Sequence, residues 1–117
     1  IDKLLDALPN LIPARIKSSL LHGDLWSGNV MFDRESSWLI DPAVYCGDPE
    51  ADLAMTEMFG GFSKAFYQAY EGARPLSAHY DRKREIYNLY HFLNHYNLFG
   101  GVYLASCEKA FNSIENL

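Results

Sequence analysis

A polar segment, H-G-D-L-W-S-G-N from His22 to Asn29, follows the apolar pair Leu20-Leu21 and runs straight into an apolar stretch, Asn29 to Phe32. A second apolar run, Trp38-Leu39-Ile40, ends in Asp41. Between the two runs lies Asp33-Arg34-Glu35-Ser36-Ser37, a polar turn of hairpin length. Antiparallel pairing then sets Asn29, at the start of one strand, beside Asp41, at the end of the other. A chain that folds this way brings Asp24, Asn29 and Asp41 to one side. Two carboxylates and a carboxamide are oxygen donors of the kind a hard divalent cation takes.

The rest of the chain reads as helix. Ile1, Leu4, Leu5 and Leu8 fall on one face of an amphipathic helix that Pro9 and Pro13 are expected to end. Asp48 is placed as an N-cap with Pro49 at the first helical position. A long helical segment follows through Ala51, Leu53, Ala54, Met55, Met58 and Phe59, until Gly60-Gly61 interrupts it. Ser63 restarts a helix that Gly72 and Pro75 stop. From Tyr80 to about Phe111 two helices are expected, broken at Gly100-Gly101, with Ile86, Leu89, Tyr90 and Leu93 as the apolar face of the first. The fold class is therefore mainly α with a small β-hairpin.

Composition narrows the function classes. The net charge is −5, and the only basic run is Arg82-Lys83-Arg84, read as a solvated turn of helix or loop, so nucleic acid is a poor default partner. Two cysteines, Cys46 and Cys107, do not make a disulfide framework and suit a reducing compartment, which gives a cytoplasmic expectation. No apolar run has the length of a membrane span. A high share of Tyr and Phe argues for a packed interior or a stacking surface.

The spacing from Asp24 to Asn29 is that of the protein-kinase catalytic loop H-R-D-x-x-x-x-N, with Gly23 in place of Arg. More specifically, L-L-H-G-D-L-W-S-G-N-V resembles the catalytic loop of the fructosamine kinase (ketosamine 3-kinase) family. So do I-D-P-A-V-Y-C-G-D-P-E-A-D-L-A-M-T-E-M-F-G-G-F and Y-N-L-Y-H-F-L-N-H-Y-N-L-F-G-G. That family is related to the aminoglycoside phosphotransferases and shares the protein-kinase-like fold. Cys46 stands where a second Tyr is expected, and Pro49 where a basic residue is expected.

The resemblance implies an ATP- and Mg²⁺-dependent kinase acting on the sugar of fructosamines or ribulosamines. It implies Asp24 as the base and Asn29 and Asp41 as metal ligands. His22 would pack under the loop, and Asp52 would brace it. Neither a glycine-rich loop nor a strand Lys precedes His22. The resemblance thus implies the C-terminal lobe only, as one domain over residues 1–117 with the N-terminal lobe absent, inactive by itself and prone to self-association through the open face.

Several residues keep two readings. Trp26 is core or lines the sugar site. His91, Asn94 and His95, within about one helical turn of each other, are a substrate-facing polar patch or satisfied core residues rather than a zinc site. At the level of the whole chain, the alternatives are a non-catalytic kinase-like module acting by binding or self-association, and a related aminoglycoside- or choline-type small-molecule kinase.

Overall fold

The computed structural model describes residues 1–116. Among these described residues five α-helices carry the fold: α1 (Asp2–Leu11), α2 (Pro49–Thr56), α3 (Lys64–Ala73), α4 (Tyr80–Phe99) and α5 (Leu104–Glu115). Four three-residue strands, β1 (Ser19–Leu21), β2 (Val30–Phe32), β3 (Ser37–Leu39) and β4 (Tyr45–Gly47), form two antiparallel pairs.

The expected hairpin is β2–β3, with Val30 opposite Leu39, Met31 opposite Trp38 and Phe32 opposite Ser37. Its turn is set by Asp33, whose Oδ1 accepts from the amides of Glu35 at 2.8 Å and Ser36 at 2.7 Å. Asn29 itself closes a short 3₁₀ turn, Ser27–Asn29, so the strand starts one residue later than expected. The second pair, β1 with β4, joins Leu21 to Tyr45 and Ser19 to Gly47, and no local pattern announces it.

Helix α2 is the centre of the molecule. Ala51, Leu53, Ala54, Met55 and Thr56 are all buried, and a helix buried on every side belongs inside. Asp48 caps it as expected, its Oδ1 accepting from the Glu50 amide at 3.0 Å, with Pro49 at the first position. The helix stops at Thr56, earlier than the expected reach to Phe59. Ser63 caps α3 through the Phe66 amide at 3.2 Å.

The main apolar cluster joins Ile86 and Leu89 of α4 to Ala110 and Ile114 of α5, with Leu4, Leu8 and Leu11 of α1 packed against it. Full burial of such aliphatic side chains contributes about 1.5–3 kcal/mol each. That gain explains a correction at Pro9, which lies inside α1 rather than ending it. In the last turn a proline forfeits one backbone hydrogen bond, to Leu5, while Leu8 and Leu11 keep their place on the core.

Two further expectations are corrected. Tyr90 is 69% exposed and is no part of the α4 core face. The basic run Arg82-Lys83-Arg84 is not a solvated turn, for Lys83 is only 3% exposed. Its ammonium lies 2.6 Å from Asp48 Oδ2 and 2.6 Å from Glu50 Oε2, so α4 is pinned to the N-terminus of α2. Arg84 pairs with Glu57, Asp81 and Glu85.

Candidate active site

Strand β1 ends at the buried Leu21 and delivers His22 to the head of the loop. Asp52, in the first turn of α2, accepts from the His22 amide at 2.7 Å and from the Gly23 amide at 2.9 Å. A single carboxylate thereby fixes two consecutive peptide groups. The His22 ring works from the other side. Its Nδ1 accepts from the Asp24 amide at 3.2 Å, so Nε2 is the donor to the Ile40 carbonyl at 2.8 Å. This assignment of the tautomer follows from the hydrogen-bond network.

Asp24 and Asn29 are in direct contact. The Asn29 amide nitrogen donates to the Asp24 backbone carbonyl at 2.9 Å and to Asp24 Oδ2 at 3.1 Å. Both partners are acceptors, which fixes the amide orientation and leaves Asn29 Oδ1 as the oxygen available to a cation. Asn29 is buried and Asp24 half-buried.

Asp41 is exposed and has a φ of +49°, the left-handed region that Asp tolerates better than most residues. Its flanks are tied to the loop: the Ile40 amide donates to the Asn29 carbonyl at 3.0 Å, and the Ala43 amide donates to the His22 carbonyl at 2.8 Å. The structure therefore brings His22, Asp24, Asn29 and Asp52 into one bonded group and holds the backbone around Asp41 against it.

Gly23 is required by this geometry. Its φ is +84°, and a Cβ there would collide with the Ala43 carbonyl. Replacement Gly23→Ala is expected to cost about 2 kcal/mol of stability, from the left-handed backbone and the clash together. Denaturant titration measures it, and an unchanged midpoint would mean that the loop takes another path.

Beyond Asp24 an aromatic wall begins at Trp26. The Trp26 ring meets Phe59 edge-on at 5.7 Å between centroids, and Phe59 meets His95 at 6.0 Å. His95 stacks on Tyr103 at 5.1 Å and on Phe99 at 5.9 Å. Its ring is held by Nδ1 against the His91 carbonyl at 2.7 Å. Burial pushes the His91 imidazole below its ordinary range and His95 adds to this, while Asp24 and Asp52 pull the other way. Asn94 is exposed. Sequence reasoning named Trp26 and the histidines but missed Phe59, Phe99 and Tyr103. The available signal was position, since Phe59 and Phe99 each precede a Gly-Gly pair, the first of which brings the chain back against the loop at Ser27. At Gly61 a Cβ would lie 2.9 Å from Ser27 Oγ, which shows how tightly that return is packed.

Comparison with known proteins identifies the family. A family model described as "Fructosamine kinase" matches residues 1–116. The chain is 50% identical over 115 residues to "Probable ketoamine kinase" of Vibrio parahaemolyticus, covering 97% of this chain and 40% of that protein. It is 43% identical over 102 residues to "Ketosamine-3-kinase" of Mus musculus, covering 87% of this chain and 32% of the mouse protein. A crystal structure of a "putative fructosamine-3-kinase" from Thermobifida fusca superposes with a TM-score of 0.91 at 32% identity, over 99% of this chain and 41% of the other. The chain spans about 40% of the first of these relatives. The kinase-like fold with a mainly helical body and small antiparallel sheets is therefore shown, and the chain belongs to the fructosamine kinase family.

Proposed function

We propose that a full-length protein carrying this chain transfers the terminal phosphoryl group of ATP to a sugar hydroxyl of a ketosamine, with Mg²⁺ as cofactor. The observation that carries the reading is the Asp24–Asn29 contact, which spends the amide nitrogen of Asn29 on Asp24 and leaves Oδ1 for a metal. The donor set fits Mg²⁺, a hard cation that takes one or two protein oxygens together with phosphate oxygens and water. Asn29 and Asp41 would hold it, and when bound it offsets charge on the phosphates.

The residues of the chain then have separate tasks. Asp24 orients the attacking hydroxyl and accepts its proton as the new oxygen–phosphorus bond forms. The bond from that phosphorus to the bridging oxygen breaks, and ADP leaves with the electron pair. Asp52 and His22 hold the loop backbone so that Asp24 needs little reorganisation. Trp26, Phe59 and His95 offer an aromatic wall of rings set edge-on to one another for the sugar and its amine-bearing arm, suited to ring C–H groups and to a cationic amine.

Replacing Asp41 tests the metal assignment. In a full-length protein carrying these residues, Asp41→Ala is expected to raise the Mg²⁺ concentration for half-maximal turnover by about ten-fold or more, since a carboxylate outbinds a carboxamide or water toward a hard cation. Activity titrated against Mg²⁺ provides the check. An unchanged Mg²⁺ dependence removes Asp41 from the site.

A further inference from the structure

One turn of α4 before His95 stands His91, whose carbonyl holds the His95 ring through Nδ1 at 2.7 Å. His95 belongs to the aromatic wall, while His91 lines a separate cavity of about 570 Å³. Tyr45, Tyr87 and Tyr90 line it too, together with Gly23, the residue before Asp24. The rings are held in place. Tyr45 packs on Gly23, where a Cβ would come 3.3 Å from its Cδ1. Tyr87 donates its hydroxyl to Asp48 Oδ2 at 2.6 Å, and Tyr90 meets His91 edge-on at 5.2 Å between centroids. Tyr90 is exposed, so the core makes no use of it. No carboxylate, lysine or arginine lines the cavity.

Behind this uncharged lining the charge is negative. Burial pushes the Tyr45 hydroxyl up, and Asp52 and Asp48 add to the shift. Burial pushes the His91 imidazole below its ordinary range, against the pull of Asp24 and Asp52, so the ring is neutral at pH 7. A neutral imidazole keeps one acceptor nitrogen. Lys83 is shared between Asp48 and Glu50. Asp24 and Asp52 form no ion pair among the described residues, so carboxylates outnumber cations around the cavity. Aromatic faces in a negative field attract a cation. A hard metal ion needs oxygen ligands in number, and with no carboxylate in the lining the match is to an organic ammonium.

We infer that this cavity binds a secondary alkylammonium ion. Its charge lies against the rings of Tyr45 and Tyr90, and one N–H is donated to the neutral His91 ring. In the proposed reaction that ion is the substituted amine of the ketosamine. The sugar-bearing arm then has two aromatic surfaces beside Asp24, the wall that starts at Trp26 and this cavity, and the positive charge settles in the cavity. That identity rests on the proposed reaction. The preference of the cavity for a cation over a neutral molecule of the same shape is a binding property and stands apart from it.

NMR titration of a full-length protein carrying these residues tests that preference with two probes. One is N-methylbutylamine, a cation at pH 7. The other is butyl methyl ether, its uncharged counterpart of the same size. The cation is expected to bind about ten-fold more tightly. Tyr90→Leu should cut the preference by about three-fold or more, whereas Tyr90→Phe, which keeps the ring, should leave it within about two-fold. Because Tyr90 is exposed, both changes leave the fold in place. Equal affinities for the two probes overturn the inference. So does a preference that Tyr90→Leu leaves unchanged, which would assign the attraction to the carboxylates alone, or one that Tyr90→Phe lowers as much as Tyr90→Leu does. Turnover of a ketosamine built on butylamine reports the proposed reaction separately. Its absence in the wild type would count against that reaction, and the two probes would still decide the cavity.

Discussion

Asp24→Asn, in a full-length protein carrying this chain, is expected to lower turnover by about a hundred- to ten-thousand-fold, the range a positioned general base supplies. The substitution is close to isosteric, and the carboxamide oxygen can still accept from the Asn29 amide nitrogen, which now donates to Asp24 Oδ2 at 3.1 Å. The backbone bonds of the loop are untouched: Asn29 to the Asp24 carbonyl, Asp24 to His22, and His22 and Gly23 to Asp52. What is lost is the negative charge and the basic lone pair that take the proton of the attacking hydroxyl. Steady-state rates and a melting curve, measured together, separate this from unfolding. A normal melting temperature with turnover within a few-fold of wild type would rule Asp24 out as the base.

The meeting of Asp24 and Asn29 was legible because everything that points to it is local. The spacing to Asn29, the hairpin that returns Asp41, the Asp48-Pro49 start of α2 and the Ser63 start of α3 are each written within a few residues. Such signals reflect backbone geometry and capping, which do not wait for tertiary structure. The features that were not legible are those that only tertiary contact creates. β1 and β4 are three residues each and pair across the whole intervening segment, 22–44, so neither has a periodicity to read. The aromatic wall draws Trp26, Phe59, His95 and Tyr103 from three separate regions, and each alone reads equally well as core. Pro9 misled for the opposite reason: a local rule was outweighed by burial of the residues around it.

Lys83 is the largest of these misreadings, and it carries the largest expected effect on stability. A lysine between two arginines looks solvated, yet its ammonium is buried against Asp48 and Glu50 at 2.6 Å each. Burial alone would push both carboxyls up, but hydrogen bonds from Lys83, helped by Tyr87 at Asp48 and by Ser77 at Glu50, bring both below the ordinary carboxylate range. Burial likewise disfavours the ammonium, and its bonds to the two carboxylates outweigh this and raise it. Lys83→Met would strand two buried like charges, and removing one partner of a buried ion pair costs about 3–5 kcal/mol.

The pH dependence gives the effect a signature that simple loss of packing would not have. In the wild type the carboxylate contribution is full above their unfolded pKa values and fades only as pH falls through their depressed folded values. The ammonium contribution is full below its unfolded pKa and fades as pH rises through its raised folded value. Without the ammonium, Asp48 and Glu50 have no cation to hold them ionised, burial dominates, and their folded values rise above the unfolded ones. The variant should therefore gain stability as pH falls from 7 toward 5, where the wild type stays nearly flat. Melting temperatures across that range decide it, and parallel curves for the two proteins would mean that the network is not charged as described. Lys83→Met combined with Asp48→Asn and Glu50→Gln should recover part of the loss, because the stranded charges are gone. The consequence reaches the candidate site through one short element. Asp48, Pro49 and Glu50 form the start of α2, and in the same first turn Asp52 holds the His22 and Gly23 amides. A lysine on α4 thus fixes the helix end from which the loop bearing Asp24 is suspended.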